Sequence, residues 1–256
     1  MKILISDSLS PRGVEVLQQA GYTADVKTKL PKEQLLEEIK TYDGIIVRSA
    51  TKITAEVIEA GSQLKIIGRA GTGLDNVDKE AATRRGIVVM NTPGGNTITT
   101  AEHSIALLVA MSRKIPQATA STKSGKWEKS KFMGTELYNK TLGLVGLGQI
   151  GSVVTKLAQG LSMNVIGYDP FLAPERSKEM GIEAVDLPEL FRRSDFISVH
   201  APLTNETRGI INAEAIKQMK DGVMIVNCAR GGIINEQDIY EALKSSKVAS
   251  AAFDVF

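Results

Sequence analysis

Cysteine occurs once in the chain, at Cys228. No intrachain disulfide can form, which suits a reducing, cytoplasmic setting. Histidine occurs twice, at His103 and His200. Two imidazoles and one thiol cannot build an ordinary zinc site, so no metal is expected. Aromatic residues make up only 5%, with a single tryptophan, Trp127. Neither sign of charge dominates: 31 basic and 29 acidic residues leave +2, which removes the general electrostatic case for a nucleic-acid partner. Long apolar runs are missing too. The longest, Ile105 to Met111, is far too short to span a bilayer, so no membrane partner is expected. The opening Met1–Asp7 turns polar too early for a signal peptide. What is present is a globular composition, 43% hydrophobic and 23% charged over 256 residues, enough for two modest domains.

One stretch organises the rest. The apolar run Leu142–Leu147 reads as a buried strand, and Gly146, Gly148 and Gly151 then form G-x-G-x-x-G. A helical pattern follows at Val153, Val154, Leu157 and Leu161, and a second apolar run from Asn164 to Tyr168 ends in Asp169. Strand, glycine turn, helix, strand and acid come in the order a dinucleotide site requires. Gly146 permits a tight turn, Gly148 lets backbone approach a pyrophosphate, and Gly151 lets helix and strand pack closely. Free N–H groups at the helix N-terminus face the phosphates. Asp169 is spaced to accept hydrogen bonds from the adenosine ribose. The cofactor read from this pattern is NAD.

Strand-like runs alternate with helical patterns along the whole chain, which implies parallel sheets covered on both faces. The expected class is α/β with two parallel-sheet domains: a flavodoxin-like substrate domain over 1–95 and a Rossmann NAD-binding domain over 96–256. The second begins with a long helix from about Thr100 to at least Lys123, kinked by Pro116. That helix and the arm holding Trp127 (97–135) carry apolar residues on more than one face, as an interface would. The six strands from Leu142 onward are expected in the order 3-2-1-4-5-6. In the first domain, Ser10 is expected to cap the helix that Pro11 opens.

Ligands of open parallel sheets bind at the carboxyl ends of strands. Reading those ends gives Arg48-Ser49, Arg69-Ala70-Gly71, Asp169-Pro170, His200-Ala201-Pro202 and Cys228-Ala229-Arg230-Gly231-Gly232. Arg230 stands out, because two following glycines let backbone come close to a ligand. Its guanidinium could grip a carboxylate with two hydrogen bonds and polarise a neighbouring carbonyl. Arg48 and Arg69 end neighbouring strands and suggest an anionic substrate, with solvated strand ends as the alternative. His103 reads as structural, and His200 as packing near the adenosine half. Neither has a carboxylate at an obvious spacing.

Longer motifs carry a resemblance. They are Val47-Arg48-Ser49-Ala50-Thr51-Lys52, Gly68-Arg69-Ala70-Gly71-Thr72-Gly73-Leu74-Asp75-Asn76-Val77-Asp78, Met90-Asn91-Thr92-Pro93, Arg113-Lys114-Ile115-Pro116-Gln117-Ala118, Gly125-Lys126-Trp127-Glu128, Phe132-Met133-Gly134-Thr135-Glu136-Leu137 and Val226-Asn227-Cys228-Ala229-Arg230-Gly231-Gly232. With them the whole chain resembles the D-isomer-specific 2-hydroxyacid dehydrogenases, most nearly the branch that oxidises 3-phosphoglycerate with NAD at the entry to serine synthesis. The resemblance implies that Arg230 is catalytic, binding the substrate carboxylate and orienting its carbonyl. It implies NAD contacts from Gln149, Ile150, Asp169, Cys228, Ala229, Arg230 and Asp254, with Thr72 reaching over from the first domain. Substrate would be held by Arg48, Ser49, Arg69 and Gly71, with Lys129 from a facing subunit of a homodimer or higher homo-oligomer. Gln149 and Ala201 depart from the arginine and threonine that relatives often carry. Members of the family continue past Phe256 with a catalytic glutamate, a proton-donating histidine and a helix crossing back to the first domain, so the chain resembles a fragment. A glyoxylate or hydroxypyruvate reductase, and a non-catalytic NAD-sensing binding protein of the same fold, are the alternative readings.

Overall fold

In the computed structural model, which describes residues 1–256, two compact units are present, Met1–Asn96 and Thr97–Phe256. The first holds β1 (Lys2–Ile5), α1 (Pro11–Gln19), β2 (Thr23–Val26), α2 (Lys32–Glu38), β3 (Gly44–Val47), α3 (Ala55–Ala60), β4 (Ile66–Arg69), α4 (Lys79–Arg84) and β5 (Val88–Asn91). All neighbouring strands pair in parallel, in the order β2-β1-β3-β4-β5. This is the flavodoxin-like order, and it reverses direction between β1 and β3. Leu4, Ile45, Val47, Ile67, Ile53 and Ile58 are sealed in one core. Tyr42 is equally buried, and its hydroxyl is satisfied by donating to Asp25 Oδ2 at 2.8 Å; a buried phenol without a partner would be costly. Asp78 caps α4 by accepting the Ala81 N–H at 2.9 Å. Ser10 stands at the N-cap of α1, but its side chain makes no capping bond. Its carbonyl accepts the Gly13 N–H at 2.8 Å instead, and Pro11, which has no N–H to satisfy, starts the helix.

The second unit opens with α5 (Thr97–Ser112) and α6 (Ile115–Lys123), then a 3-10 turn at Lys129–Phe132. The single kinked helix expected from sequence is therefore two helices. Lys114 sits in the left-handed region (φ 52°), and Pro116 falls in the first turn of α6. Proline lacks the N–H for an intrahelical bond and its ring collides with the carbonyl four residues back, so the first helix stops at Ser112 and a new one begins. Trp127 is 83% exposed and takes no part in the core of this chain.

Beyond the arm come β6 (Thr141–Val145), α7 (Gln149–Gly160), β7 (Asn164–Tyr168), α8 (Pro174–Glu179), β8 (Glu183–Ala184) and α9 (Leu187–Arg193). They continue with β9 (Phe196–Val199), α10 (Ala213–Gln218), β10 (Val223–Asn227), α11 (Glu236–Lys244) and β11 (Val248–Phe253). The sheet runs β11-β10-β9-β6-β7-β8, parallel throughout. Counted within the unit this is 3-2-1-4-5-6 read from the β8 edge, the doubly wound Rossmann order. Strand alternation separates two cores. Leu142 and Leu144 of β6 pack with Leu108 of α5 and Val154 of α7. Val145 packs with Ile197, Ile225, Leu190, Ile216 and Ile239. No helix is long and apolar enough to cross a membrane.

Candidate active site

In the second unit the glycine turn joins β6 to α7. Gly146 has φ +96°, and a Cβ there would lie 2.7 Å from the His200 carbonyl carbon. A Cβ on Gly151 would overlap the Gly146 carbonyl oxygen. Both positions therefore require glycine, one for its backbone angle and one for helix-to-turn packing. Gly148 differs: nothing lies within 4 Å of its Cβ position. That open space, at the N-cap of a twelve-residue helix without a side-chain cap, is what an approaching pyrophosphate needs. Gln149 Oε1 accepts from the Thr97 hydroxyl at 3.3 Å, and Ile150 follows in the first helical turn.

Asp169 follows directly on β7. Its Oδ2 accepts the Leu147 N–H and its Oδ1 the Phe171 N–H, both at 2.9 Å. These bonds fix the carboxylate beside the glycine turn, and each oxygen retains a lone pair for a ribose hydroxyl. The residues present thus fit the adenosine half of a dinucleotide.

His200 lies under the same turn. Its Nε2 is 2.9 Å from Ser198 Oγ, while Nδ1 is buried without a partner. Burial pushes its pKa down from 6.5 to about 4, because an imidazolium here would carry an N–H with no acceptor.

The loop after β10 holds Cys228, Ala229 and Arg230. Asn227 braces it, donating to the Arg230 carbonyl at 2.9 Å and accepting the Ala229 N–H at 3.0 Å. Arg230 Nη1 donates to the Ala229 carbonyl at 2.6 Å. The Cys228 thiol is raised by burial and by the Asp254 charge, against a lowering hydrogen bond with Ser104. Gly231 packs against the chain's own backbone. A Cβ there would overlap the Phe256 backbone, so glycine is required for that segment to pass. Asp254 hangs from Asn227 by an N–H···O bond of 3.0 Å. Its Oδ1 lies 3.4 Å from His103 Nε2, a carboxylate partner that sequence spacing could not disclose. Lys129 is exposed on the arm.

In the first unit, Arg48, Ser49, Arg69, Gly71 and Thr72 line one cavity of about 290 Å³ with Thr92 and Asn96. The Thr72 hydroxyl donates to Asn96 Oδ1 at 2.7 Å. The Arg69 guanidinium folds into the place a side chain at 71 would take, so only glycine there leaves it this position. Its Nε is buried without a partner. A second cavity of about 610 Å³ opens at the carboxyl ends of β1 and β3 and shares Arg48 and Ser49. It adds Asp7, Ser8, Lys29 and Lys52, none of them given a site role from sequence. The available signal was their place: β1 and β3 flank the reversal in strand order where open sheets hold ligands.

Comparison with known proteins bears on both units. The sequence family described as D-isomer specific 2-hydroxyacid dehydrogenase, NAD binding domain, matches residues 105–256. The D-3-phosphoglycerate dehydrogenase of Archaeoglobus fulgidus is 52% identical over 256 residues, all of this chain and 49% of that protein. The human D-3-phosphoglycerate dehydrogenase is 52% identical over 255 residues, 48% of its length. The chain thus spans about half the length of these curated relatives. Among solved structures, the TT0316 protein of Thermus thermophilus superposes with a TM-score of 0.92 at 34% identity, covering all of this chain and 82% of that one. The apo-structure of Escherichia coli D-lactate dehydrogenase gives 0.87 at 31% identity, with the same coverage.

Proposed function

The chain belongs to the D-isomer specific 2-hydroxyacid dehydrogenases, and on that premise we propose that it serves the NAD-dependent oxidation of D-3-phosphoglycerate to 3-phosphohydroxypyruvate, the first step of L-serine synthesis, in the cytoplasm. The observation that carries the reading is the gathering of Arg48, Ser49, Arg69 and Gly71 around one small cavity, in a chain half identical over its whole length to D-3-phosphoglycerate dehydrogenases. Two guanidiniums beside one pocket suit the multiply charged phosphate end of such a substrate.

In this reading unit 1 binds substrate and unit 2 binds NAD. Gly146, Gly148, Gln149, Ile150 and Gly151 receive the pyrophosphate on the helix N-terminus, and Asp169 accepts from the ribose diol. Cys228, Ala229, Arg230 and Asp254 border the nicotinamide half. NAD supplies the hydride acceptor when bound. Arg230 grips the substrate carboxylate and draws electron density from the oxygen at the reacting carbon, and its bond to the Ala229 carbonyl limits how far the guanidinium can wander. Arg48 and Arg69 hold the remaining negative charge.

The partner is a second copy of the chain. Trp127 and Met133 on the arm and Tyr138 just past it are 83%, 74% and 64% exposed, large apolar side chains that suit an interface core. Lys129 on that arm would reach the neighbour's substrate.

Calorimetric titration of 3-phosphoglycerate against the wild type and Arg69→Ala, with NADH as control ligand, tests the reading. The variant is expected to lose about 1.5–3 kcal/mol of phosphoglycerate affinity and to keep its NADH affinity. Equal losses for both ligands would refute the assignment of Arg69.

A further inference from the structure

The turn carrying Arg48 and Ser49 is gripped from two sides by residues with no place in the site as read from sequence. Asp7, two residues past β1, is 7% exposed. Its Oδ2 accepts the Arg48 N–H at 2.6 Å and the Thr51 N–H at 3.1 Å. Its Oδ1 accepts the Thr51 hydroxyl at 2.7 Å, and that hydroxyl also lies 2.6 Å from Ser6 Oγ. From the other side, Asn76 Nδ2 donates to the Arg48 carbonyl at 2.7 Å and the Thr51 carbonyl at 2.6 Å. The Asn76 carbonyl accepts the Ile53 N–H at 2.7 Å, just beyond the turn. Two side chains therefore satisfy both backbone polar groups at each end of the turn.

The chemistry of this clamp is unusual for its surroundings. A carboxylate beside Arg48, in a wall that also holds Lys29 and Lys52, works against any anion bound there. Burial alone would neutralise it by pushing its pKa up. Hydrogen bonds from the Thr51 hydroxyl and from the N–H groups of Arg48, Thr51 and Ala50 outweigh burial and hold it below the ordinary aspartate value. An ionised acceptor makes roughly twice as strong a bond to an N–H as a neutral one. Its charge is engaged by four donors of a single turn, so its effect is on geometry.

We infer that Asp7 and Asn76 are positioning residues for substrate recognition: by clamping the Arg48–Thr51 turn they hold the Arg48 and Ser49 side chains at the pocket shared with Arg69. The inference rests on the reading of that pocket as the substrate site. Preorganisation of this kind raises affinity by sparing the ordering of a loop and a long side chain on binding.

The test is calorimetric titration of 3-phosphoglycerate and, separately, NADH against the wild type, Asp7→Asn, Asn76→Ala, Arg48→Ala and the double variant Asp7→Asn/Arg48→Ala. Asparagine at 7 keeps the shape but turns an amide towards backbone N–H groups. Each of Asp7→Asn and Asn76→Ala is expected to weaken phosphoglycerate binding by about tenfold or more, with NADH affinity within about twofold of wild type. In the Arg48→Ala background the added loss from Asp7→Asn should shrink to less than about threefold, because the two act through one contact. A role confined to stability would lower the melting temperature and leave these ratios at unity. If Asp7→Asn does not fold, Asn76→Ala, at the more open end of the clamp, decides alone. Failure of the wild type to bind phosphoglycerate would overturn the substrate reading and the inference with it. Wild-type binding that neither variant alters would overturn the clamp and leave the substrate reading standing.

Discussion

His200 should make the stability of the second unit pH-dependent between pH 6.5 and about 4. The perturbation is protonation of an imidazole whose Nδ1 is sealed from solvent with no acceptor and whose Nε2 already faces Ser198 Oγ. The folded pKa of about 4 lies below the ordinary 6.5. Between those values the unfolded chain carries a proton there and the folded one does not, so stability rises with pH across the window. The contribution is complete above pH 6.5 and lost as pH falls towards 4. Each pH unit of that interval is worth about 1.4 kcal/mol, so the whole window amounts to about 3 kcal/mol, with about 2 of it gone by pH 5. The assay is urea denaturation at half-unit steps from pH 7.5 to 4.5, comparing wild type with His200→Gln. Glutamine can keep the bond to Ser198 and does not titrate, so its offset from wild type should be large at pH 7 and fall by about 2 kcal/mol at pH 5. Asp195, Glu128, Glu183 and Glu206, all held below their ordinary values, lose their contribution from about pH 4.5 downward, but they do so in both proteins, so their effect cancels in the comparison with His200→Gln. Parallel stability profiles for the two proteins between pH 7 and 5 would refute the argument. So would a His200 ring resonance that titrates near 6.5, assigned against a His103→Asn sample.

Three further outcomes are expected. Asp169→Ala should weaken NADH more than NADPH: the carboxylate accepts from the ribose diol and repels a 2′-phosphate, whereas its bond to the Leu147 N–H serves both cofactors and cancels in the ratio. Titration with both cofactors checks it, and an unchanged ratio would refute the role. Gly71→Ala places a methyl where the Arg69 guanidinium lies; since only the flexible end of a side chain must move, denaturant stability should change by less than about 1 kcal/mol while phosphoglycerate affinity falls about tenfold or more. Gly146→Ala meets backbone instead, at φ +96° and 2.7 Å from the His200 carbonyl carbon, and should cost at least about 2 kcal/mol in denaturant stability together with NADH binding.

Much of the molecule was legible because its determinants are local. Alternating apolar runs and helical periods marked parallel α/β sheets, and the spacing of Gly146, Gly148 and Gly151 with Asp169 at the next strand end needs only the chain's own bond geometry to be read. Proline at 116 was visible as a disturbance, but whether it kinks or ends a helix depends on what the next turn packs against. Left-handed Lys114 and the new helix after it are decided in three dimensions. That Gly231 makes room for the Phe256 backbone has no signal in the sequence, since a glycine announces space and not its occupant. The pairing of His103 on α5 with Asp254 past β11 and the grip of Asp7 and Asn76 on the Arg48 turn join residues far apart in the chain. Hydrogen bonds of this kind have no period and no fixed spacing, so no pattern along the sequence encodes them. The Asp7 and Asn76 grip exists only once the order β2-β1-β3-β4-β5 has set the end of β1 beside the end of β3, and that order follows from burying both faces of a sheet at once, which is a property of the tertiary structure.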